Sequence, residues 1–478
     1  MNTRSMFHET NTTWARRGSG PMYRAVVGTI SCAALGLLAA AAPAQAQVSP
    51  SDSDSLTFHG ITLYGVVDVG LQYDSHGAPI SDYFVAGGTG LLQKNSTGSV
   101  TGATPNNIQQ SRIGVQGKES LTVGDWSGIF KIETYFNPQS GDLTDALKSL
   151  TLNNGKPATA QSTGVDSSIA GQVFGVAYVG AASPTYGTVT FGRQLTLLAD
   201  GVGKYDPIAS SYAFSVLGYS GTTAGGGDTE DRRLDQTVKY LYSNNGVHAG
   251  GEYKFNRSTG EASSATELQV GGEFSGASVD AYYTKIHDAV SASALSAAQV
   301  QGLPALGFSS SNSLAATISD NTAFAVMGSY AFGTATAYAG YEHIRFANPD
   351  TPLKAGFATE GGYILAVVNN TAYTHEKNLQ VYWAGIKYTT LAKLDLYAAY
   401  YGYHQGNYAT GDLAGCSTTA SAACSGELYA FSLAADYRFT KRFDAYFGAM
   451  ANGVQDGLAN GYLVRNTIDP TLGVRYRF

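Results

Sequence analysis

The sequence predicts an all-β fold in which sixteen antiparallel strands, in up-and-down order, close into a transmembrane barrel. The first supporting observation is composition. The 478 residues include 58 Gly, 32 Tyr and 20 Phe, and only 14% are charged, which argues against coiled coils, helical bundles and charged disordered chains. The second is a recurring segment of about ten residues in which apolar side chains alternate with polar or small ones. The third is a regular succession of short turns and long polar connections between these segments.

Residues 1–46 have the pattern of an export leader. The apolar run Val26–Ala42 follows Arg24 and ends at an A-x-A sequence, as in a signal peptide with its cleavage site. We therefore expect Gln47 to begin the mature chain, with Met22 as the working start or, instead, a leader of extended type. A membrane anchor is the competing interpretation. Loss of the leader, which carries four arginines and one glutamate, changes the net charge from −7 to −10, and such a charge argues against nucleic-acid binding.

The chain has three cysteines, of which Cys32 lies in the leader. The mature chain keeps Cys416 and Cys424 within a Gly/Ala/Ser/Thr-rich stretch. In an exported protein this spacing predicts one disulfide that closes a loop. A metal-binding pair is the alternative, although no histidine lies close by in the sequence to complete it.

The alternating segments justify the strand count. In the first segment Val67, Val69 and Leu71 share one face, whereas Tyr64 and Asp68 share the other. The sixteen predicted strands are residues 57–73, 110–119, 126–136, 171–181, 185–193, 233–243, 247–256, 265–276, 278–287, 321–332, 334–347, 378–390, 392–405, 426–439, 441–452 and 465–478.

The connections predict an up-and-down meander. Short ones carry tight-turn sequences such as Asn244-Asn245-Gly246 and Ser275-Gly276, which favour hairpins. Because short and long connections alternate, all turns should lie at one rim and all loops at the other. The long connections, rich in Gly, Ser, Thr, Ala and Asn, are 74–109, 137–170, 194–232, 288–320, 348–377 and 406–425.

Aromatic residues distinguish a membrane barrel from a soluble sandwich. No run of 18 apolar residues follows residue 46, so no transmembrane helix is expected. The non-apolar face carries small or neutral polar groups, whereas the outer face of a soluble sandwich is charged. Aromatic residues near strand ends suit the interfacial girdle of a barrel, and closure satisfies every backbone polar group in lipid. These residues are Trp126, Phe136, Tyr373, Tyr437, Phe439, Phe443 and Tyr476.

The last residues, TLGVRYRF, form one alternating strand that ends on phenylalanine. Tyr476 and Phe478 share the apolar face, and Arg475 and Arg477 share the other. An ending of this kind resembles the C-terminal assembly signal of outer-membrane barrels.

The motifs SRIGVQGKESL, WSGIFKIETYF, YGTVTFGRQ, RRLDQTVKY and GVRYRF, with LYGVVDVGLQY before them, occur in this order along the chain. Together they resemble the general diffusion porins of Gram-negative bacteria, in particular the β-proteobacterial type. The resemblance implies one barrel domain over residues 47–478, a water-filled lumen and a homotrimer. Sixteen strands independently leave room for an aqueous lumen.

The resemblance further implies that the connection 194–232, after the fifth strand, folds into the barrel as a constriction loop. Its carboxylates would then narrow the pore; the alternative is that they are solvated loop charges, and the last three could equally lie at the rim. These acidic residues are Asp200, Asp206, Asp228, Glu230 and Asp231.

On the facing wall the family places basic residues, which correspond here to Arg112, Arg193, Arg233 and Lys239. Strand alternation directs Arg112, Arg233 and Lys239 into the lumen, together with Glu133 of the third strand. Arg193 shares parity with outward-facing Phe191, so its assignment requires a bulge or a strand end.

The acidic loop and the basic wall together predict a transverse electric field across the narrowest section of the pore. The predicted function is that of a passive outer-membrane channel for ions and small hydrophilic solutes. The sign of ion selectivity stays open, because the net charge favours cations and the wall arginines favour anions. A substrate-specific channel is the alternative; a barrel enzyme and an adhesin are weaker ones. No catalytic motif is present, so we expect no enzyme, cofactor or metal. We expect the chain to form a homotrimer. Its other expected partners are outer-membrane lipid and lipopolysaccharide, the barrel-assembly machinery and permeating solutes.

Overall fold

The computed structural model describes residues 56–83, 90–164, 171–218, 232–255, 264–356 and 359–478. The predicted leader, residues 1–46, lies outside these ranges. Among the described residues, no helix has the length and apolar character needed to cross a bilayer.

Within those ranges, sixteen long antiparallel strands form one closed barrel, which confirms the predicted fold. Each strand pairs with its neighbours in sequence, and the last pairs with the first. The strands are β1 (Ile61–Gly77), β2 (Arg112–Ser120), β3 (Ser127–Tyr135), β4 (Val176–Ser183), β5 (Gly187–Leu195), β6 (Arg233–Asn244), β7 (Val247–Lys254), β8 (Ala265–Phe274), β9 (Ala277–Ser293), β10 (Ser313–Phe332), β11 (Ala335–Ala347), β12 (Lys377–Thr390), β13 (Leu394–Gln405), β14 (Gly426–Arg438), β15 (Phe443–Asp456) and β16 (Asn466–Arg477).

Short turns join the strands at one rim and long loops at the other. Asn245 and Gly246, between β6 and β7, both have positive φ (49° and 75°), as do Ser275 and Gly276 (45° and 85°). Two successive positive φ values match the right-handed twist of the flanking strands. We call the two ends the turn side and the loop side.

The loops contain further elements that alternation did not predict. Strand Gly98–Pro105 pairs with the loop-side half of β1, and Tyr363–Asn369 runs parallel to the start of β10. Beyond a register shift between Ile286 and Ala289, β9 and β10 stay paired for five more residue pairs, where a loop was expected. The remaining elements are the strands Thr57–Phe58 and Thr359–Glu360, the helices α1 (Ala146–Leu152), α2 (Leu197–Tyr205) and α3 (Ala297–Leu306), and the 3-10 turns Ala158–Ala160, Val216–Gly218, Gly411–Leu413 and Gly457–Ala459.

The outer surface of the barrel is apolar. Large hydrophobic side chains that alternate with buried ones are exposed on every part of the wall, as lipid contact requires. Examples are Leu71, Ile113, Ile132, Val179, Phe191, Tyr240, Leu268, Val279, Phe324, Phe431, Phe447 and Leu472.

Aromatic side chains cluster at the turn side. Phe439 lies 4.9 Å from Tyr437 and 5.7 Å from Phe443, which in turn contacts Tyr476 (ring centroids 6.5 Å apart). Such a row is typical of the interfacial girdle. Tyr373 was wrongly assigned to this girdle, because it stacks on Phe346 (5.9 Å) at the edge of an apolar cluster inside the barrel.

The inner wall is not uniformly polar. From β10 to β15 the inward-facing side chains are mainly apolar and buried; we call this surface the apolar lining. It consists of Ala323, Ala325, Met327, Ile344, Phe346, Leu379, Val381, Trp383, Ala399, Tyr401, Tyr403, Leu428, Ala430, Ala434, Tyr446, Met450 and Val454. Residues of the loop after β5 and of the first long loop cover it: Leu197, Leu198, Val202, Tyr205, Ile208, Tyr212, Phe214, Val216, Leu217, Leu91 and Leu92. This part of the lumen is therefore packed rather than water-filled.

Candidate pore lining and constriction

The connection after β5 enters the barrel as helix α2, and its first turn is fixed to the wall. The Thr196 side chain accepts a hydrogen bond from the N–H of Ala199 (3.1 Å). Glu267 Oε2 on β8 accepts from the N–H groups of Leu197 (2.6 Å) and Leu198 (3.2 Å). A carboxylate at this position satisfies free donors and complements the positive end of the helix dipole, so β8 sets where the helix begins.

The other end of α2 is held by β8, β9 and β12. Lys204 Nζ lies 3.3 Å from Asp280 and 3.2 Å from Glu273, and the Tyr205 hydroxyl contacts Asp280 as well. Trp383 Nε1 donates to the carbonyl oxygen of Tyr205 (3.0 Å). Burial alone would lower the pKa of Lys204, but Tyr205 and the carboxylates raise it, so the charged amine is stabilised.

After the helix, the segment crosses the lumen. Asp206 accepts hydrogen bonds from the Tyr401 hydroxyl (2.7 Å) and from the N–H groups of Ile208 (3.2 Å) and Ser210 (2.8 Å). Burial raises the pKa of Asp206, against the effect of these donors. Asp206 therefore organises the turn of the loop itself and is bound by the apolar lining rather than by the basic wall.

Asp200 is the constriction-loop carboxylate that meets the basic wall. Lys239 Nζ lies 2.6 Å from Asp200 Oδ2, and it also donates to the Leu195 carbonyl oxygen (2.7 Å). Glu252 Oε2 on β7 lies 3.7 Å from the same amine. The predicted partners Lys239 and Asp200 are thus together, whereas Asp228, Glu230 and Asp231 lie outside the described residues.

Arg112 and Glu133 form a second predicted group on β2 and β3. Arg112 Nε lies 3.2 Å from Glu133 Oε2, and Lys131 Nζ lies 3.5 Å from the same oxygen. The Tyr64 hydroxyl donates to this oxygen as well (2.9 Å). Alternation places all four side chains on the inner face, so this cluster lines the lumen.

Arg193 and Arg233 contact side chains of other wall strands and of the segment before β2. Arg233 is 6% exposed, its guanidinium lies 4.6 Å from the centre of the Tyr135 ring, and it donates to Gln110 (3.1 Å). Arg193 pairs with Asp235 on β6, where the register of β5 against β6 shifts. A bulge is therefore present at the position where the parity of Arg193 required one.

The sequence reasoning missed a charge network at the turn side. Its carboxylates are Asp395, Asp436 and Asp444, and its cations are Lys387, Arg438, Arg475 and Arg477. Alternation in the C-terminal strand had already placed Arg475 and Arg477 on the polar face, but that signal was not connected with the pore.

Two further predicted features lie away from the constriction. Cys416 and Cys424 form a disulfide with Cα atoms 5.1 Å apart, in the loop between β13 and β14. Phe478 and Gly65 exchange two main-chain hydrogen bonds of 3.1 Å, and the Tyr476 side chain is exposed on the outer face.

One cluster with possible metal ligands was not predicted. His287, Asp320 and Asp350 bring their ligand atoms within 4.8 Å of one another near the loop side. His287 Nδ1 and Asp320 already lie 3.3 Å apart, and Asp350 is exposed. The three residues come from separate parts of the chain, so no local motif could have indicated them.

The decisive comparison is with protein families. A family model for Gram-negative porins matches residues 31–456. The chain belongs to the Gram-negative porin family. This porin is accordingly a passive channel of the outer membrane, in agreement with the barrel, its apolar exterior and its charged inner clusters.

Two solved structures of an outer membrane protein of Vibrio cholerae share the fold. The in-vitro folded OmpT of Vibrio cholerae is 16% identical with a TM-score of 0.52, and the match covers 89% of this porin and 100% of that chain. The loop L8 deletion mutant of OmpT is 18% identical with the same TM-score, covering 87% and 99%. A complex of Salmonella typhi OmpF with daunomycin is 13% identical with a TM-score of 0.48, covering 87% and 97%. No curated protein sequence matches this porin.

Proposed function

We propose that this porin conducts small hydrophilic solutes and ions by diffusion, with a preference for anions. The observation that carries the preference is an asymmetry within the ion pairs of the lumen. The cation is the partly exposed member, and the carboxylate is buried behind it. Arg112 is 24% exposed while Glu133 is 3% exposed, and Arg477 is 32% exposed while Asp444 is fully buried.

The same asymmetry recurs around the lumen. Lys131 is more exposed than Glu133, and both Lys387 and Arg438 are more exposed than Asp395. Three described pairs are reversed, because there the acid is the more exposed partner: Lys239 with Asp200, Arg193 with Asp235 and Lys204 with Glu273. Water that fills the lumen therefore meets mainly ammonium and guanidinium groups, which attract anions.

Net charge does not oppose this proposal. The mature chain is expected to carry −10, but exposed charges farther from the ion than about 8 Å are largely screened at physiological ionic strength. The charges that select an ion are those within a few ångströms of its path. Buried carboxylates hold the cations in position without facing the solute.

A homotrimer and a non-catalytic role are part of the proposal. Membership of the Gram-negative porin family supports the second point. The resemblance to general diffusion porins supports a trimer embedded in outer-membrane lipid and lipopolysaccharide after insertion by the barrel-assembly machinery. Native mass spectrometry of the detergent-solubilised protein tests the trimer, since a monomer mass would contradict it.

Reversal potentials in a planar bilayer under a potassium chloride gradient test the anion preference. We expect chloride to be more permeable than potassium. A unit charge about 7 Å from the ion path in water contributes about 0.6 kcal/mol. Arg112→Gln removes this attraction for chloride and an equal repulsion for potassium, so it should lower the chloride-to-potassium permeability ratio about sevenfold.

Lys285→Gln is the matched control. Lys285 lies on β9, is exposed and shares the outer face with Tyr283, so the same loss of charge should leave the ratio unchanged. A wild-type channel that prefers potassium, or equal effects of both variants, would refute the proposed lining.

A further inference from the structure

The seam between β1 and β16 contains an unbalanced pair of carboxylates. From the turn side upward, the inward-facing pairs of this ladder include Asp68 with Arg475 and Gln72 with Thr471, where the ladder ends. One further step in the same register places Asp74 opposite Asp469. The first pair has opposite charges, and the second forms a hydrogen bond of 2.9 Å. The third brings two like charges together, which destabilises a sheet.

The strands stay adjacent at this level. The N–H of Ile468 donates to Ser75 Oγ (2.9 Å), and the N–H of His76 donates to Thr467 Oγ1 (3.2 Å). Both contacts keep the register of the pairs below them. Asp74 and Asp469 therefore face each other across one rung of the seam.

Both carboxylates are buried without a counter-charge. Asp74 is 2% exposed and Asp469 is fully buried. Asp74 Oδ1 and Asp469 Oδ2 accept no hydrogen bond from any described residue, and no described cation forms an ion pair with either side chain. The weak contact that remains is Asn452 Nδ2, 3.5 Å from Asp469 Oδ1. An unpaired buried carboxylate is costly and calls for a bound ion or a proton.

The first long loop covers this pair. Asn452 links the loop to the wall, because its amide donates to the Gly90 carbonyl oxygen (2.7 Å) and accepts from the N–H of Leu92 (2.9 Å). A Cβ atom at Gly90 would come within 3.0 Å of Asp469 Oδ2, so the loop main chain lies directly against the carboxylate. Gln93 of the same loop is also buried, and neither atom of its side-chain amide has a hydrogen-bond partner among the described residues.

We propose that Asp74 and Asp469 bind one divalent cation of the calcium type, and that the cation holds the first long loop against the wall. The donor set consists of oxygen atoms, which hard cations prefer, and calcium accepts irregular coordination completed by carbonyl groups and water. Two carboxylates balance its charge. The site is independent of ion selectivity, because it lies under the loop and not among the exposed cations.

Calorimetric titration of the detergent-solubilised protein with calcium chloride, after treatment with EDTA, tests the site. The double variant Asp74→Asn/Asp469→Asn should bind calcium about tenfold more weakly or worse, and each single variant should show a smaller loss. Asp350→Asn is the control, because it alters the separate cluster at His287 and should leave this affinity unchanged. Circular dichroism confirms that each variant keeps its β-structure.

Trypsin cleavage at Lys94 reports on the loop. Lys94 is exposed, but its carbonyl oxygen accepts from the N–H of Leu463 in the connection between β15 and β16 (3.3 Å), so the main chain must leave this contact before trypsin can cleave it. For the wild type we expect protection with calcium and cleavage in EDTA. For the double variant we expect the same cleavage under both conditions, because it lacks the carboxylates that bind the cation.

Calcium binding that is unchanged in the double variant, or absent from the wild type, would overturn the proposal. So would cleavage at Lys94 that depends on pH and not on calcium, because a shared proton would then neutralise the pair.

Discussion

The two halves of the inner wall are built on different principles. From β2 to β9 the lumen is lined by ion pairs such as Arg112 with Glu133 and Lys239 with Asp200. From β10 to β15, above the turn-side charge network, the lining is apolar and closes on the constriction loop as a protein core does. The constriction loop is thus attached by dispersion and burial on one side and by charge on the other. The first interaction fixes the position of the loop, and in the function proposed above the second determines which charges the solute meets.

This difference explains why α2 is both buried and in contact with the charged wall. Leu198, Val202 and Tyr205 pack toward the apolar lining, while Asp200 is half exposed toward Lys239. Exposed ion pairs alone would stabilise the position of the loop only slightly, because each such pair contributes about 0–1 kcal/mol to stability. Apolar burial supplies the larger stabilisation.

The largest effect is expected on the apolar side. Trp383→Ala removes a buried ring and the hydrogen bond to the Tyr205 carbonyl oxygen, which should cost about 3–5 kcal/mol. The loop should then separate from the wall, so that single-channel conductance rises and larger sugars enter liposomes in swelling assays. Tyr382→Ala, on the outward face of the same strand, should not change conductance. Equal conductance in Trp383→Ala and the wild type would show that the lining does not hold the loop.

A smaller effect is expected where the charged wall caps α2. Glu267→Leu removes the acceptor of the first two helical N–H groups and should cost about 2 kcal/mol. We expect more frequent closures in single-channel recordings, because the first turn of α2 loses its anchor. Glu267→Gln keeps an acceptor oxygen and should show about half of this effect. If both variants recorded like the wild type, β8 would not position the helix.

The smallest functional effect distinguishes two arginines of the charged half. Arg233 is buried over Tyr135, so Arg233→Gln should leave the chloride-to-potassium ratio unchanged while lowering stability by about 1 kcal/mol. Arg112→Gln should change the ratio and have little effect on stability. Reversal potentials and thermal unfolding in detergent measure the two quantities. A selectivity change in Arg233→Gln would place that guanidinium in the ion path.

Lipid contact determines which parts of the fold could be predicted. All sixteen strands could be predicted from the sequence. Their lipid-facing positions must be apolar, so apolar residues recur at every second position. Strand Gly98–Pro105 and the extension of β9 to Ser293 lie toward the loop side. Their Gly-, Ala- and Ser-rich residues lack that alternation, so composition suggested loops.

Residues of the candidate site could be predicted where side chains alternate strictly between the inner and outer faces of a strand. Arg112 and Lys239 lie where alternation placed them. Arg193 required a bulge, whose position depends on the partner strand, where Gln236 has a positive φ of 54°. The apolar lining was missed because Val381 and Trp383 flank the equally apolar Tyr382, so alternation disappears where both faces are apolar. Only tertiary packing against the constriction loop explains such a strand.

The pairing of β1 with β16 has a consequence for biogenesis. Val66–Gln72 in the first strand must find Thr471–Arg477 in the last, and contacts of such sequence separation form slowly. Every other strand pairs with a strand next to it in sequence. The pairing of β1 with β16 can form only after the last strand has been translocated. Until then two open edges remain exposed to any passing β-strand. Before the barrel closes, the partly formed sheet must therefore be protected from aggregation through its open edges. The stability of the closed barrel does not help at this stage.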